Sequence, residues 1–190
     1  VLASGFGGIG VYVIRDGSVP AFAGSANPGG IAFDVSLSGS HAYVAAGTSD
    51  LRLVDIGDPA RPRVVDISLT FPGSPGSALG IAISGAWAYI AAADAGVHVV
   101  DVRTPSAPVL VTTVDTPGSA WWVLPVGDLL YAADRGGGVH AIDIRVPQSP
   151  RFIGTLNTAG SASGVAADPF FLYASDNVGG LTVARAQCAR

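Results

Sequence analysis

The stretch from Ala78 to Ser119 reads ALGIAISGAWAYIAAADAGVHVVDVRTPSAPVLVTTVDTPGS, and the stretch from Ala120 to Ser161 repeats it with substitutions. Tyr43, Tyr89, Tyr131 and Tyr173 are spaced by 46, 42 and 42 residues. Twelve residues after the first three stand Asp55, Asp101 and Asp143. Each Asp is followed by a pair of prolines: Pro59 and Pro62, Pro105 and Pro108, Pro147 and Pro150. The four extra residues of the first interval fall in the doubled turn PGSPGS, Pro72 to Ser77, where a repeat tolerates insertion. A fixed period of this kind is the first thing to settle, because it decides the fold before any local reading does.

Within one unit, short runs of β-branched and aromatic residues are bounded by Gly, Pro, Asp and Ser, which is the pattern of strands joined by tight turns. In the quoted stretch the runs are Gly80 to Ser84, Trp87 to Ala92, Val97 to Val102 and Val109 to Asp115. In the third run Val97, Val99 and Asp101 face one way, and His98, Val100 and Val102 the other. No segment sustains a 3.6-residue period, so almost no helix is expected. Four strands in about 42 residues is the arithmetic of a propeller blade. The repeats run over residues 1–29, 30–77, 78–119, 120–161 and 162–190, one domain of five blades. The expected fold is therefore an all-β, five-bladed β-propeller of four-stranded antiparallel blades, with three-stranded blades at both ends.

The first unit is a partial copy. Gly10 to Ile14 is aligned with Gly96 to Val100, Val19 to Ser25 supplies a fourth strand, and the first strand is missing. The last unit, Ser163 to Ala184, ends before its fourth strand. Two other closures stay open. In one, Val19 to Ser25 completes the last blade and leaves Gly10 to Ile14 as an extra edge; in the other, the chain is a fragment of a larger ring, and an open ring exposes apolar faces and sheet edges.

Leu51-Arg-Leu-Val-Asp55, Val97-His-Val-Val-Asp101 and Val139-His-Ala-Ile-Asp143, each followed by x-x-x-Pro-x-x-Pro, resemble the LVIVD repeat. The resemblance covers nearly the whole chain. It implies a β-propeller of exported or cell-surface proteins, and it implies no reaction. Arg185 in the last unit and, on the alignment above, Arg15 in the first stand in place of the motif Asp.

Composition narrows the function. Of 190 residues 49% are hydrophobic and only 13% charged, against about 25% in ordinary soluble domains. The net charge of -4 and the absence of Lys leave no basic patch for nucleic acid phosphates. The 17 uncharged residues from Ser77 to Ala93 fall short of a membrane span and carry turn residues. The lone Cys188 excludes an internal disulfide framework but not an oxidising compartment. A chain without any Met reads as a mature or trimmed product.

Several constellations invite a chemical reading. Gly5 to Gly10 fits G-x-G-x-x-G but is followed by a strand instead of a helix, so it reads as a turn. His98 and His140 occupy one position in neighbouring repeats; with Arg52 and Thr182 as equivalents, they read as an ordinary exposed face and not a metal pair. Asp55, Asp101 and Asp143 read as acceptors for backbone N–H groups in the turn before the prolines, and with Tyr43, Tyr89, Tyr131 and Tyr173 as structural marks of the repeat. No catalytic signature, metal site or cofactor is called for.

Trp121 and Trp122 break the repeat, standing where other units carry Leu79 and Gly80 or Ser163 and Gly164. Asp94, Asp134, Arg135 and Asp176 lie on the turns between second and third strands, so one rim carries the candidate ligand- or partner-binding residues. The expected function is a non-enzymatic scaffold or protein-interaction module of an exported or cell-surface assembly, bound to another protein chain. The alternative is carbohydrate binding at Trp121, Trp122 and Trp87. A channel-mouth lactonase or glycosidase rests on fold analogy alone.

Overall fold

The computed structural model describes residues 1–48, 50–67, 69, 71 and 78–185. All regular elements among them are strands, in five antiparallel sheets. The first blade holds β1 (Leu2–Ala3), β2 (Ile9–Val13) and β3 (Ala21–Ala26). The second holds β4 (Asp34–Ser38), β5 (His41–Ala45), β6 (Leu51–Asp55) and β7 (Arg63–Val65). The third holds β8 (Gly80–Ser84), β9 (Trp87–Ala91), β10 (Val97–Asp101) and β11 (Val109–Val114). The fourth holds β12 (Trp122–Val126), β13 (Leu129–Ala133), β14 (Val139–Asp143) and β15 (Arg151–Leu156). The fifth holds β16 (Ala162–Ala167), β17 (Phe171–Asp176) and β18 (Gly180–Arg185). Strand order within each sheet follows the chain, and the middle three sheets are the four-stranded ones. The PGSPGS turn and Cys188 lie outside the described residues.

Each blade has a forward face, turned to the next blade, and a rear face, turned to the one before. The alternation along β10 assigns them. Val97 and Val99 pack forward with Val123, Leu130 and Ile142 of the fourth blade. Val100 and Val102 pack rearward with Tyr43, Leu51 and Leu53 of the second. The same forward-to-rear contact joins Tyr131 and Val139 to Val165, Leu172 and Ala174. It also joins Ile9 to Ala42, Val44 and Val54. Strands sandwiched on both faces must be apolar on both, which accounts for the high apolar content. Each large side chain so buried contributes about 1.5–3 kcal/mol.

Neighbouring blades are also stitched by backbone. A residue in the turn after each second strand bridges to the entry of the next blade: Gly5 to Ala32, Gly47 to Ala78, Ala93 to Ala120 and Arg135 to Ala162. All four bridging residues have positive φ, between 46° and 59°. Glycine fills this left-handed position twice; Ala93 and Arg135 adopt it with a Cβ, at a cost of about 1 kcal/mol. The G-x-G-x-x-G stretch is thus the first of these turns.

One expectation needs correction. The first blade is shifted by two residues from the alignment made on sequence. Gly8, not Gly10, matches Gly96: both have positive φ. A Cβ on Gly8 would meet the Ala26 carbonyl oxygen at 2.3 Å, as one on Gly96 would meet that of Val114 at 2.2 Å. The bulges agree, since the register slips between Val11 and Tyr12 as it does between Val99 and Val100. Val13, not Arg15, therefore replaces the motif Asp. Of the alternative closures, one is excluded. β3 pairs with β2 in the first sheet and does not complete the last one.

Candidate functional site

The motif carboxylates close local turns. Asp55 Oδ1 accepts the Gly57 N–H at 2.9 Å, Asp101 Oδ1 that of Arg103 at 3.0 Å, and Asp143 Oδ1 that of Arg145 at 3.0 Å. The guanidinium of Arg103 also pairs with Asp101, and that of Arg145 with Asp143. The Arg145 side chain holds the Asp143 carboxyl down at about 2, and Arg103 lowers Asp101 likewise. Each pair shapes the turn that leads to the two prolines. Tyr43 and Tyr89 are buried in the interblade cores, whereas Tyr173 is partly exposed and donates its hydroxyl to Asp168 Oδ2 at 2.7 Å.

The rim residues separate on inspection. Asp94 is exposed, but Asp134 and Asp176 are buried. Asp134 Oδ2 accepts the Gly118 N–H at 2.6 Å, and Oδ1 accepts the Thr116 hydroxyl at 2.7 Å. Asp176 accepts N–H groups from Gly160, Val178 and Gly179 at 2.8–2.9 Å. These donors, Gly179 first, hold its carboxyl well below the usual range. In both blades the carboxylate fastens the linker that enters the blade, so neither Asp is presented to a ligand. Glycine at 118 and 137 makes the room, because a Cβ there would come within 2.8 Å and 2.4 Å of Asp134 Oδ2.

His98 and His140 are buried, not exposed. Both lie on rear faces, His98 towards the second blade and His140 towards the third, so the two rings sit in different interblade layers and do not form a metal pair. Each ring bonds the strand opposite: His98 Nδ1 to Thr113 Oγ1 at 2.8 Å, His140 Nδ1 to Thr155 Oγ1 at 2.9 Å. His140 Nε2 also reaches Asp134 Oδ2 at 2.8 Å. Carboxylate, imidazole and hydroxyl thus stand in line, the order of a proton relay. The same imidazole–hydroxyl pair recurs in the third blade without the acid, which marks it as cross-strand pairing belonging to the repeat. His98 Nε2 is buried with no partner among the described residues. Burial lowers this ring's pKa to about 4, and it stacks on Phe71 at 4.3 Å between centroids.

Trp121 and Trp122 open the fourth blade. The guanidinium of Arg135 lies 3.6 Å from the Trp121 ring centroid, so one face of that ring is already covered. Trp122 is exposed. The tryptophan backbone passes so close to the third blade that a Cβ on Gly80 would meet the Trp121 carbonyl oxygen at 2.7 Å. Arg103 lies 6.0 Å from the Trp87 ring. Asp34 was missed by the sequence reading. It stands where other blades have Gly80, Trp122 and Gly164, and its Oδ2 accepts the Ile81 N–H of the next blade at 2.9 Å. Its pKa is raised by burial, against which the N–H groups of Ile81 and Val35 work.

Successive sheets packed forward-to-rear, the middle three each with the same tyrosine, turn and motif Asp, define a β-propeller built of repeats. The family model for the LVIVD repeat matches residues 29–70, 75–116 and 117–158, and the chain belongs to the LVIVD repeat family. No curated protein matches the chain. Among solved structures, the computationally designed Ika4 protein is similar with TM-score 0.65 at 11% identity, over 82% of this chain and 91% of that one. The designed Ika8 protein is similar with TM-score 0.63 at 13% identity, over 80% of this chain and 44% of that one. A functionally unknown protein from Desulfotomaculum acetoxidans is similar with TM-score 0.65 at 12% identity, over 88% of this chain and 59% of that one. The chain therefore spans about half the length of the latter two. These likenesses speak for the fold. No helix among the described residues is long and apolar enough to cross a membrane.

Proposed function

We propose that the chain is a non-enzymatic β-propeller scaffold, an interaction module of an exported or cell-surface assembly. The observation that carries this reading is the apolar surface on the two outermost blades, where Leu2, Phe22, Leu181 and Val183 are all exposed. Contiguous apolar surface with few charges around it favours association with another protein. The residues that looked most chemical support it too, since Asp134, Asp176 and His140 are engaged in holding the blades. The test is cell fractionation with mild crosslinking in the source organism. The expected result is an exported or surface-bound complex in which the protein is crosslinked to another chain. The protein found free and unassociated inside the cell would overturn it. Glycan binding is the second reading, and the exposed ring of Trp122 favours it. Glycans would then quench tryptophan fluorescence, and a Trp122→Ala chain would lose that response.

A further inference from the structure

The fourth blade breaks the repeat at two places that touch. Trp121 stands where the second and third blades have Phe33 and Leu79, since the N–H groups of all three bond to the end of the second strand, at Ala133, Ala45 and Ala91. Arg135 stands at the bridging position that Gly47 and Ala93 fill in those blades. It is exposed and holds a φ of 46°, a left-handed conformation that a residue with a Cβ adopts at a cost and that tends to mark functional sites. Its guanidinium lies 3.6 Å from the Trp121 ring centroid, a distance at which the group rests flat on the indole. The N–H donors lie in the guanidinium plane and so point away from the ring. Among the described residues no carboxylate pairs with Arg135; the ion pairs there join Arg103 to Asp101, Arg145 to Asp143 and His140 to Asp134. Other groups lie beside it. Trp122 is exposed, and its strand partner is Ala133, which precedes Asp134 and Arg135. The Arg135 backbone exchanges two bonds of 3.0 Å with Ala162. Ser163, next in the chain, is exposed, and its hydroxyl lies 3.2 Å from that of exposed Ser175.

We infer that this rim of the fourth and fifth blades binds an acidic carbohydrate, Arg135 taking the carboxylate of a sugar whose ring stacks on Trp122. This rests on the glycan reading and names the class of glycan. A carboxylate accepts two parallel N–H bonds from a guanidinium, so charge and shape are matched together. The stack on Trp121 already holds the Arg135 plane, so less side-chain freedom is lost when the anion arrives. The anion gains an unpaired cation and displaces no acid from it. The third blade shows the contrast: Arg103 lies 6.0 Å from the Trp87 ring, and its guanidinium is committed to Asp101. The exposed indole offers a flat apolar face to the C–H side of a sugar ring. The Ser163 and Ser175 hydroxyls can each donate and accept, which suits sugar hydroxyls. An acidic peptide would share only the carboxylate with such a ligand.

The test is titration calorimetry of the chain with galacturonate and glucuronate oligosaccharides, each set against its methyl ester, which keeps the sugar and removes the charge. The acids are expected to bind, and the esters to bind ~10-fold more weakly or worse, as the loss of a charge-assisted bidentate contact requires. Arg135→Gly should weaken the acids to the level of the esters and leave the esters unchanged. That variant should melt no lower than the parent, because glycine already fills the position at Gly5 and Gly47. Trp122→Ala should weaken acid and ester alike. Equal binding of acid and ester overturns the inference and leaves the glycan reading standing. If neither binds but a neutral glycan quenches tryptophan fluorescence, the inference falls and the glycan reading again stands; if no glycan does, both fall. An Arg135→Gly chain that loses acid and ester equally, or that melts lower than the parent, makes Arg135 a structural support and overturns the inference. A tetraglutamate peptide that binds as tightly as the acids also overturns it.

Discussion

The interior and terminal blades carry the same kinds of residue at the same places, yet those residues meet different surroundings. Leu53, Val99 and Val139 lie in closed interblade cores, while Leu181, Val183, Tyr12 and Leu2 face solvent. The repeat writes an apolar side chain wherever a neighbouring blade can cover it. Burial in a stacked architecture is thus a property of the junction, not of the blade.

That contrast gives the largest expected effect. Leu53→Ala, at a closed junction, should cost about 3 kcal/mol of unfolding free energy in urea titrations. Leu181→Ala, measured in dilute chain, should cost less than ~1 kcal/mol. Equal costs would mean that blade five is covered even in the dilute chain.

The next effect separates the two histidine layers. Asp134→Ala should cost about 3 kcal/mol, because it strands the Gly118 N–H and the His140 ring in a buried site. Asp134→Asn, which keeps an acceptor, should cost less.

His98 has no acid beside it and answers to pH instead. Its folded pKa of about 4 lies below the ordinary 6.5, so the unfolded chain binds its proton first. The neutral ring's contribution is complete above pH 6.5 and is lost as pH falls towards 4, by up to about 3 kcal/mol in all. A His98→Phe chain should lose that part of the slope in chemical melts at stepped pH; an unchanged slope would place the titrating group elsewhere.

The smallest effect sits on the bridging turns. Ala93→Gly should stabilise by about 0.5–1 kcal/mol, since glycine already fills the same left-handed position at Gly5 and Gly47. A loss of stability would mean that the Cβ does more there than strain the backbone.

Much of the fold was legible in the sequence because the repeat averages out local ambiguity. Strand limits in the third blade fall within a residue of their expected places, and the alternation along Val97 to Val102 assigns both faces correctly. The first blade was misaligned because four glycines crowd Gly5 to Gly10. Only the space around Gly8, set by the Ala26 carbonyl, decides which of them matches Gly96. The histidines were misplaced because a polar ring among Arg52 and Thr182 equivalents resembles an outer face. The missing signal was the 42-residue spacing of Thr113 and Thr155, which matches that of His98 and His140 and marks the cross-strand pairs. Asp134 and Asp176 looked like rim acids because sequence cannot show that a linker folds back and donates N–H groups to them.

The most direct measurement is hydroxyl-radical footprinting of the dilute chain, read at Leu2 and Leu181 with Leu53 and Val99 as the residues of closed junctions. The account expects Leu2 and Leu181 to be labelled while Leu53 and Val99 stay protected. Equal labelling of the two sets would contradict the claim that burial belongs to the junction.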